Sequence, residues 1–320
     1  MAPVATMDQP VFEIWPGLGH VICFANWKGG VGKTTSTVNL GVGLALEGKR
    51  VLIVDINSQG TVAVLLGLLD HPEYDQGAGL FTSITTGAPL NPIKDVRPGL
   101  DVLPGGDYIT LLDDALSAQL RSATTAPRVV LGLAKALHAI AANYDVVLVD
   151  TPPENETLLL IGLGASRFIL VPMKTDDLSR HGLSQLVKRV EIARDHNPYL
   201  MLLGLFIFDS STTSRGIRAE TRKDIASDLQ TDDLMFDAFI RHAEKVAKDS
   251  AQYGRVPIEL ADEVANNPTW TAIRRGEAKD AIVVSPTSIG VAEDYDRLKK
   301  EIQARMEARR AELIEEGNWP

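Results

Sequence analysis

The sequence predicts an α/β fold in which a mostly parallel, twisted sheet is covered by helices on both faces. Three observations carry this prediction. Short runs that are apolar at nearly every position, such as those inside "RVLIVD" and "YDVVLVD", recur along the chain, as strands buried on both faces require. Segments with helical spacing of apolar residues lie between them. The first apolar run also ends directly in a glycine-rich turn that opens a helix.

Taken in order, Val21–Ala25 reads as the first strand and Thr34–Leu46 as the helix after it, stopped by Gly48. Arg50–Asp55 is the second buried strand, and Leu100–Leu103 follows as a third after a looser Gly/Pro-rich stretch. Helical spacing over Pro127–Ala142 leads into the strand Tyr144–Asp150. The strand Arg167–Val171, the helix Ser179–Asp195 and the strand Leu200–Phe208 continue the alternation. A charge-rich helix over about 290–316 closes the chain, with Leu298, Ile302, Met306 and Leu313 as its apolar stripe. No long linker interrupts the pattern. The expected organisation is therefore an extension over residues 1–19 and a single domain over 20–320.

Composition narrows the function classes. The chain has 320 residues, 45% of them hydrophobic, and a formal net charge of −10. Bulk attraction to DNA or anionic lipid is not expected of such a chain, and either partner would need a local basic face. No apolar run approaches the ~20 residues that span a bilayer. The first residues lack the basic and apolar regions of a secretory signal. One cysteine, Cys23, lies in an apolar run, reads as a small buried hydrophobe, and fits a reducing, cytoplasmic setting. It cannot supply a thiolate set for zinc or an iron–sulfur cluster within one chain.

The chemistry concentrates in "NWKGGVGKTT", Asn26 to Thr35. A glycine-rich turn between a strand and a helix presents backbone N–H groups, here of Gly29, Gly30, Val31, Gly32 and Lys33, at a helix N-terminus that favours anions. Lys33 is placed to reach nucleotide phosphates. The Thr34 hydroxyl, followed by Thr35, is placed to ligate Mg2+. The strict phosphate-loop pattern would have glycine where Trp27 stands, and Lys28 is an additional cation.

The string "KGGVGKTT" resembles the deviant Walker A motif of the ParA/MinD family of P-loop ATPases. "RVLIVDINSQG", "YDVVLVDTPP", "RFILVPMKTDDLSRHGLSQL" and "IRHAEKVAKDSAQYGRV" extend the resemblance over roughly residues 20–256. The resemblance implies a P-loop NTPase fold of the deviant Walker A type, with ATP and Mg2+ as cofactors. Lys28 would reach the ATP of a partner subunit, so that nucleotide is sandwiched in a homodimer. Asp55 and Asp150 would stand near Mg2+ with Thr34. Among the branches of the family, the short ParA type is the expected one. It implies non-specific DNA binding by an ATP dimer, a nucleoid-associated location and a ParB-like or other adaptor that stimulates hydrolysis.

One departure falls at the catalytic position. Relatives carry a second acid in this motif, and here Asp55-Ile56-Asn57-Ser58-Gln59 puts Asn57 in its place. An amide can orient a water but cannot take its proton at neutral pH, so slow hydrolysis is expected. For DNA, the candidate contacts are Arg215, Arg218, Arg222 and Arg241, with Lys223 and a second cluster at Arg274, Arg275 and Lys279. Two alternatives stay open at this point: a scaffold that holds ATP as a structural ligand, and a MinD-like membrane-positioning ATPase.

Overall fold

Residues 15–231, 233–268, 274–275 and 282–319 are described by the computed structural model. The apolar runs become strands: β1 (Val21–Phe24), β2 (Val51–Asp55), β3 (Ile93–Arg97), β4 (Leu100–Leu103), β5 (Val146–Asp150), β6 (Phe168–Met173), β7 (Met201–Ser210) and β8 (Met235–Arg241). Their spatial order is β3-β4-β2-β5-β1-β6-β7-β8. All neighbours run parallel except β3 beside β4. The sheet is thus mostly parallel, as expected.

The helices are α1 (Lys33–Leu46), α2 (Thr61–Leu66), α3 (Ala78–Thr86), α4 (Asp107–Leu120), α5 (Ala126–Val130), α6 (Gly132–His138), α7 (Glu156–Gly164), α8 (Asp177–Arg194), α9 (Arg215–Leu229), α10 (Glu244–Tyr253), α11 (Pro257–Glu263) and α12 (Thr287–Glu315). Strand side chains alternate between two covered faces. Ile22, Phe24 and Ile53 pack with Leu40 and Leu44 of α1 and Leu298 and Ile302 of α12. Val21, Leu52 and Val54 pack with Leu112, Leu133, Leu158 and Ile161 on the opposite face. Cys23 sits on that second side with Leu183 and Leu186 of α8, fully buried and with its thiol pushed up by desolvation.

The local structure differs from the sequence reading at four points. The helix expected over Pro127–Ala142 is broken into α5, α6 and a 3-10 turn at Ala141–Asn143. The break falls at Leu131–Gly132, where Gly132 packs so closely on Ile84 that a Cβ would stand 2.9 Å away. The short strand β3, "IKDVR", escaped notice because its exposed alternate residues leave no apolar run. The edge strand β8, "MFDAFIR", was not predicted either, because polar and partly exposed residues interrupt its apolar positions. At the amino end, Leu18 is part of the core, so the packed body begins before residue 20. Residues 1–14 and Lys279 lie outside the described residues.

Candidate nucleotide-binding site

Parallel strands bring their carboxyl ends to one edge of the sheet, and the site forms there. In register, Asp55 at the end of β2 stands beside Asp150 at the end of β5, and Asp150 beside Phe24 at the end of β1. The phosphate loop leaves β1 between these strands and β6. The phosphate loop, Asp55 and Asp150, which together span more than a hundred residues of sequence, therefore converge.

The loop is held from several sides. Asn26 is buried; its amide donates to the Pro172 carbonyl at 2.9 Å, and its oxygen accepts from the Lys28 N–H at 3.0 Å. Gly32 has φ 88° and precedes α1. A Cβ there would stand 2.4 Å from the Phe208 ring, so the ring can lie against the loop only because the residue is glycine. The Trp27 carbonyl accepts from the Glu154 N–H at 3.0 Å, and the Arg189 guanidinium lies 4.0 Å over the indole centroid. Trp27 thus ties the loop to α8 and to the segment after β5, which explains a tryptophan at this position.

Lys33 is buried, and its ammonium donates to the carbonyls of Asn26 at 3.1 Å and Lys28 at 3.0 Å. Burial pulls its pKa down to about 8 against the attraction of Asp150. The Thr34 hydroxyl donates to Asp150 Oδ2 at 2.6 Å. Lys28 does not face the loop: its ammonium pairs with Asp176 Oδ1 at 2.6 Å and donates to Ser179 Oγ at 3.3 Å. Asp176 is also the N-cap of α8, accepting the Ser179 N–H at 2.8 Å. This partner was missed in the sequence, although "DDLS" carries the signature of a helix start.

Asp55 and Asp150 are fully buried. Burial raises both carboxyls above the ordinary range, and the charge of Asp150 raises Asp55 further. Asp55 Oδ1 accepts the Asn57 N–H at 3.0 Å. Asp55 Oδ2 and Asp150 Oδ1 have no hydrogen-bond partner. Two adjacent buried carboxylates with orphaned oxygens, beside a threonine hydroxyl, suit a hard divalent cation that takes its remaining oxygens from water and phosphate. Asn57 is buried as well, and its Oδ1 accepts the Gln59 N–H at 3.1 Å. A backbone donor thus orients the Asn57 side chain, whose amide nitrogen can only donate.

Next to the loop opens a cavity of about 390 Å³ whose lining includes Gly30, Gly32, Asn39, Phe208, His242 and Tyr295. Its size falls in the range of small-ligand sites.

The basic candidates divide. Arg241 is half-buried and ion-paired: its guanidinium and its backbone N–H all reach the Asp294 carboxylate, the side-chain pair closing at 2.6 Å, and Asp294 is fully buried in α12. Arg222 is committed to the carbonyls of Met235 and Phe236 and to Asp237 on β8. Both serve packing, because a long arginine is the side chain that can span from a helix to a strand edge. Arg215 is exposed. Arg218 stacks on Phe239 at 3.8 Å and donates to the Ser211 carbonyl, but remains near the surface beside Arg215. Arg274 and Arg275 are exposed.

Residues 19–202 match the AAA domain family. The chromosome partitioning protein ParA of Caulobacter vibrioides is 32% identical over 250 residues, covering 76% of this chain and 87% of that protein. The chromosome-partitioning ATPase Soj of Treponema pallidum is 30% identical over 297 residues, covering 90% of this chain and 98% of that one. Among solved structures, cobyrinic acid a,c-diamide synthase of Mycobacterium smegmatis, with a bound ATP analogue and magnesium, superposes with a TM-score of 0.59 at 24% identity. That match covers 83% of this chain and 99% of the other. With a phosphate loop at the head of α1 and two carboxylates at adjoining strand ends, the chain belongs to the ParA/MinD family of P-loop ATPases.

Proposed function

We propose that this protein is a ParA-type partitioning ATPase. It binds ATP with Mg2+ at the loop Lys28–Thr35, forms a nucleotide-sandwich homodimer, and in that state holds DNA non-specifically to position a cargo. The observation that carries the reading is the pair of buried carboxylates, Asp55 and Asp150, with unpartnered oxygens beside the Thr34 hydroxyl and the Lys33 ammonium. The partition relatives and the solved neighbour with an ATP analogue and magnesium support the choice of ligand.

In this reading Lys33 leaves the two loop carbonyls for the phosphates, a low-cost exchange for a buried ammonium already destabilised by desolvation. Thr34, Asp55 and Asp150 hold the cation, which neutralises phosphate charge when bound. The cavity lined by Phe208 and Tyr295 takes the nucleoside. Lys28 acts across the dimer, and to do so must leave Asp176. Asn57 orients the attacking water through its amide and takes no proton, so turnover is slow until an adaptor protein acts. The DNA-facing residues are Arg215 and Arg218. Arg222 and Arg241 are not among them.

The test is steady-state phosphate release. Asn57→Asp restores an acceptor beside the water, and the rate should rise about tenfold or more. An unchanged rate would remove Asn57 from the mechanism. Loss of ATP retention by Lys33→Ala checks the loop itself.

A further inference from the structure

The β4–α4 turn, Pro104-Gly105-Gly106, lies against the segment that carries the candidate cation and water ligands, although more than forty residues separate them in sequence. A Cβ on Gly105 would stand 2.4 Å from the Asn57 carbonyl oxygen, 2.8 Å from Asp55 Cγ and 2.8 Å from the Asp55 carbonyl oxygen. Those atoms are main chain or the carboxylate itself, so no flexible side chain is available to give way.

Hydrogen bonds run the same way. The Gly106 N–H donates to the Asn57 carbonyl at 3.1 Å, which also accepts the Gly60 N–H at 3.2 Å. Gly106 has φ 140° and ψ −156°, a conformation reserved for glycine.

The turn is itself backed. A Cβ on Gly106 would stand 2.8 Å from Gln76 Cα, and the Tyr108 N–H donates to the Gln76 carbonyl at 3.1 Å. Gln76 has φ 56°, and the Tyr74 hydroxyl covers Gly60 so closely that a Cβ there would be 2.9 Å from it. Three stretches of backbone are thus stacked: residues 55–60, 104–106 and 74–77.

We infer that the Pro104–Gly106 turn, braced by residues 74–77, is the positioning element that sets Asp55 and Asn57, and with them the divalent-cation requirement of nucleotide binding. The inference rests on the nucleotide reading above. Its residues touch neither nucleotide nor cation; they fix where the ligands stand.

The test uses Gly105→Ala in the full chain, with Gly99→Ala as a matched control. Gly99 has φ 79°, and a Cβ there would meet the Lys49 carbonyl at 3.0 Å, at the opposite end of β2. Both variants lose thermal stability. Retention of a fluorescent ATP analogue is titrated with Mg2+. Gly105→Ala should raise the half-saturating Mg2+ concentration tenfold or more, and Gly99→Ala should leave it within twofold of the parent. Hydrogen exchange without nucleotide or metal supplies the second readout. The amides of Asn57 and Gly60 should exchange faster in Gly105→Ala than in Gly99→Ala. An unshifted Mg2+ midpoint, or equal exchange in the two variants, overturns the inference while the nucleotide reading stands. A parent that retains nucleotide with no dependence on Mg2+ overturns both.

Discussion

At the scale of single residues, hydrogen-bond capacity limits what Asn57 can do. The Gln59 N–H donates to the Asn57 side-chain oxygen at 3.1 Å, and the amide nitrogen beside it can only donate. An aspartate accepting that same bond would keep a second oxygen for a water proton, which is why the Asn57→Asp rate is informative. Arg241 and Asp294 show a site hidden from sequence. They lie 53 positions apart, and nothing local to either marks the pair. Asp294→Ala leaves the guanidinium without its buried partner, and also deprives Arg297 of its partner. A loss of about 3–5 kcal/mol is expected, read as a lower urea midpoint with unchanged slope. Arg241→Glu should likewise unfold the protein more readily. It should not produce a folded chain that has selectively lost DNA.

At the scale of elements, the strands buried on both faces were legible because their residues are apolar at every position. The edges were not. β8 is an outer strand whose backbone groups are met by side chains. Glu301 of α12 accepts the N–H groups of Asp237 and Ala238 at 2.8 and 3.0 Å, and Arg222 donates to the carbonyls of Met235 and Phe236. Such capping keeps an open edge from pairing with another chain. The strand–turn–helix placement of the glycine-rich loop was legible, since glycine spacing and the terminal Lys-Thr are local features. Its anchoring to α8 was not, because it depends on Arg189 stacking on Trp27 from far along the chain. Arg189→Ala should cost about 0.5–2 kcal/mol by loss of that stack. It should weaken nucleotide retention more than an alanine at exposed Lys188, with equilibrium binding as the measurement.

At the scale of the whole molecule, a net charge of −10 means that any hold on DNA is local and salt-dependent. Double substitution of Arg215 and Arg218 by glutamate should reduce retention on non-specific duplex and flatten its salt dependence, with ATP retention unchanged. Acid stability offers an independent check. Arg50 holds Asp145 down to about 2, below the unfolded value of about 3.9. The sign follows: this pair's stabilisation is present above about pH 4 and fades as the pH falls through 2. Both side chains are more than a third exposed, so solvent screening keeps the contribution small. The stability difference between parent and Asp145→Asn should therefore shrink between pH 5 and 2. Among the described residues no helix is long and apolar enough to cross a membrane.

The proposed nucleotide-sandwich dimer makes the most direct prediction. Sedimentation velocity with ATP and Mg2+ should show the parent as a dimer, the parent without nucleotide as a monomer, and Lys28→Ala as a monomer that still retains ATP. A parent that stays monomeric with ATP and Mg2+ bound, or a Lys28→Ala chain that dimerises as readily as the parent, would contradict it.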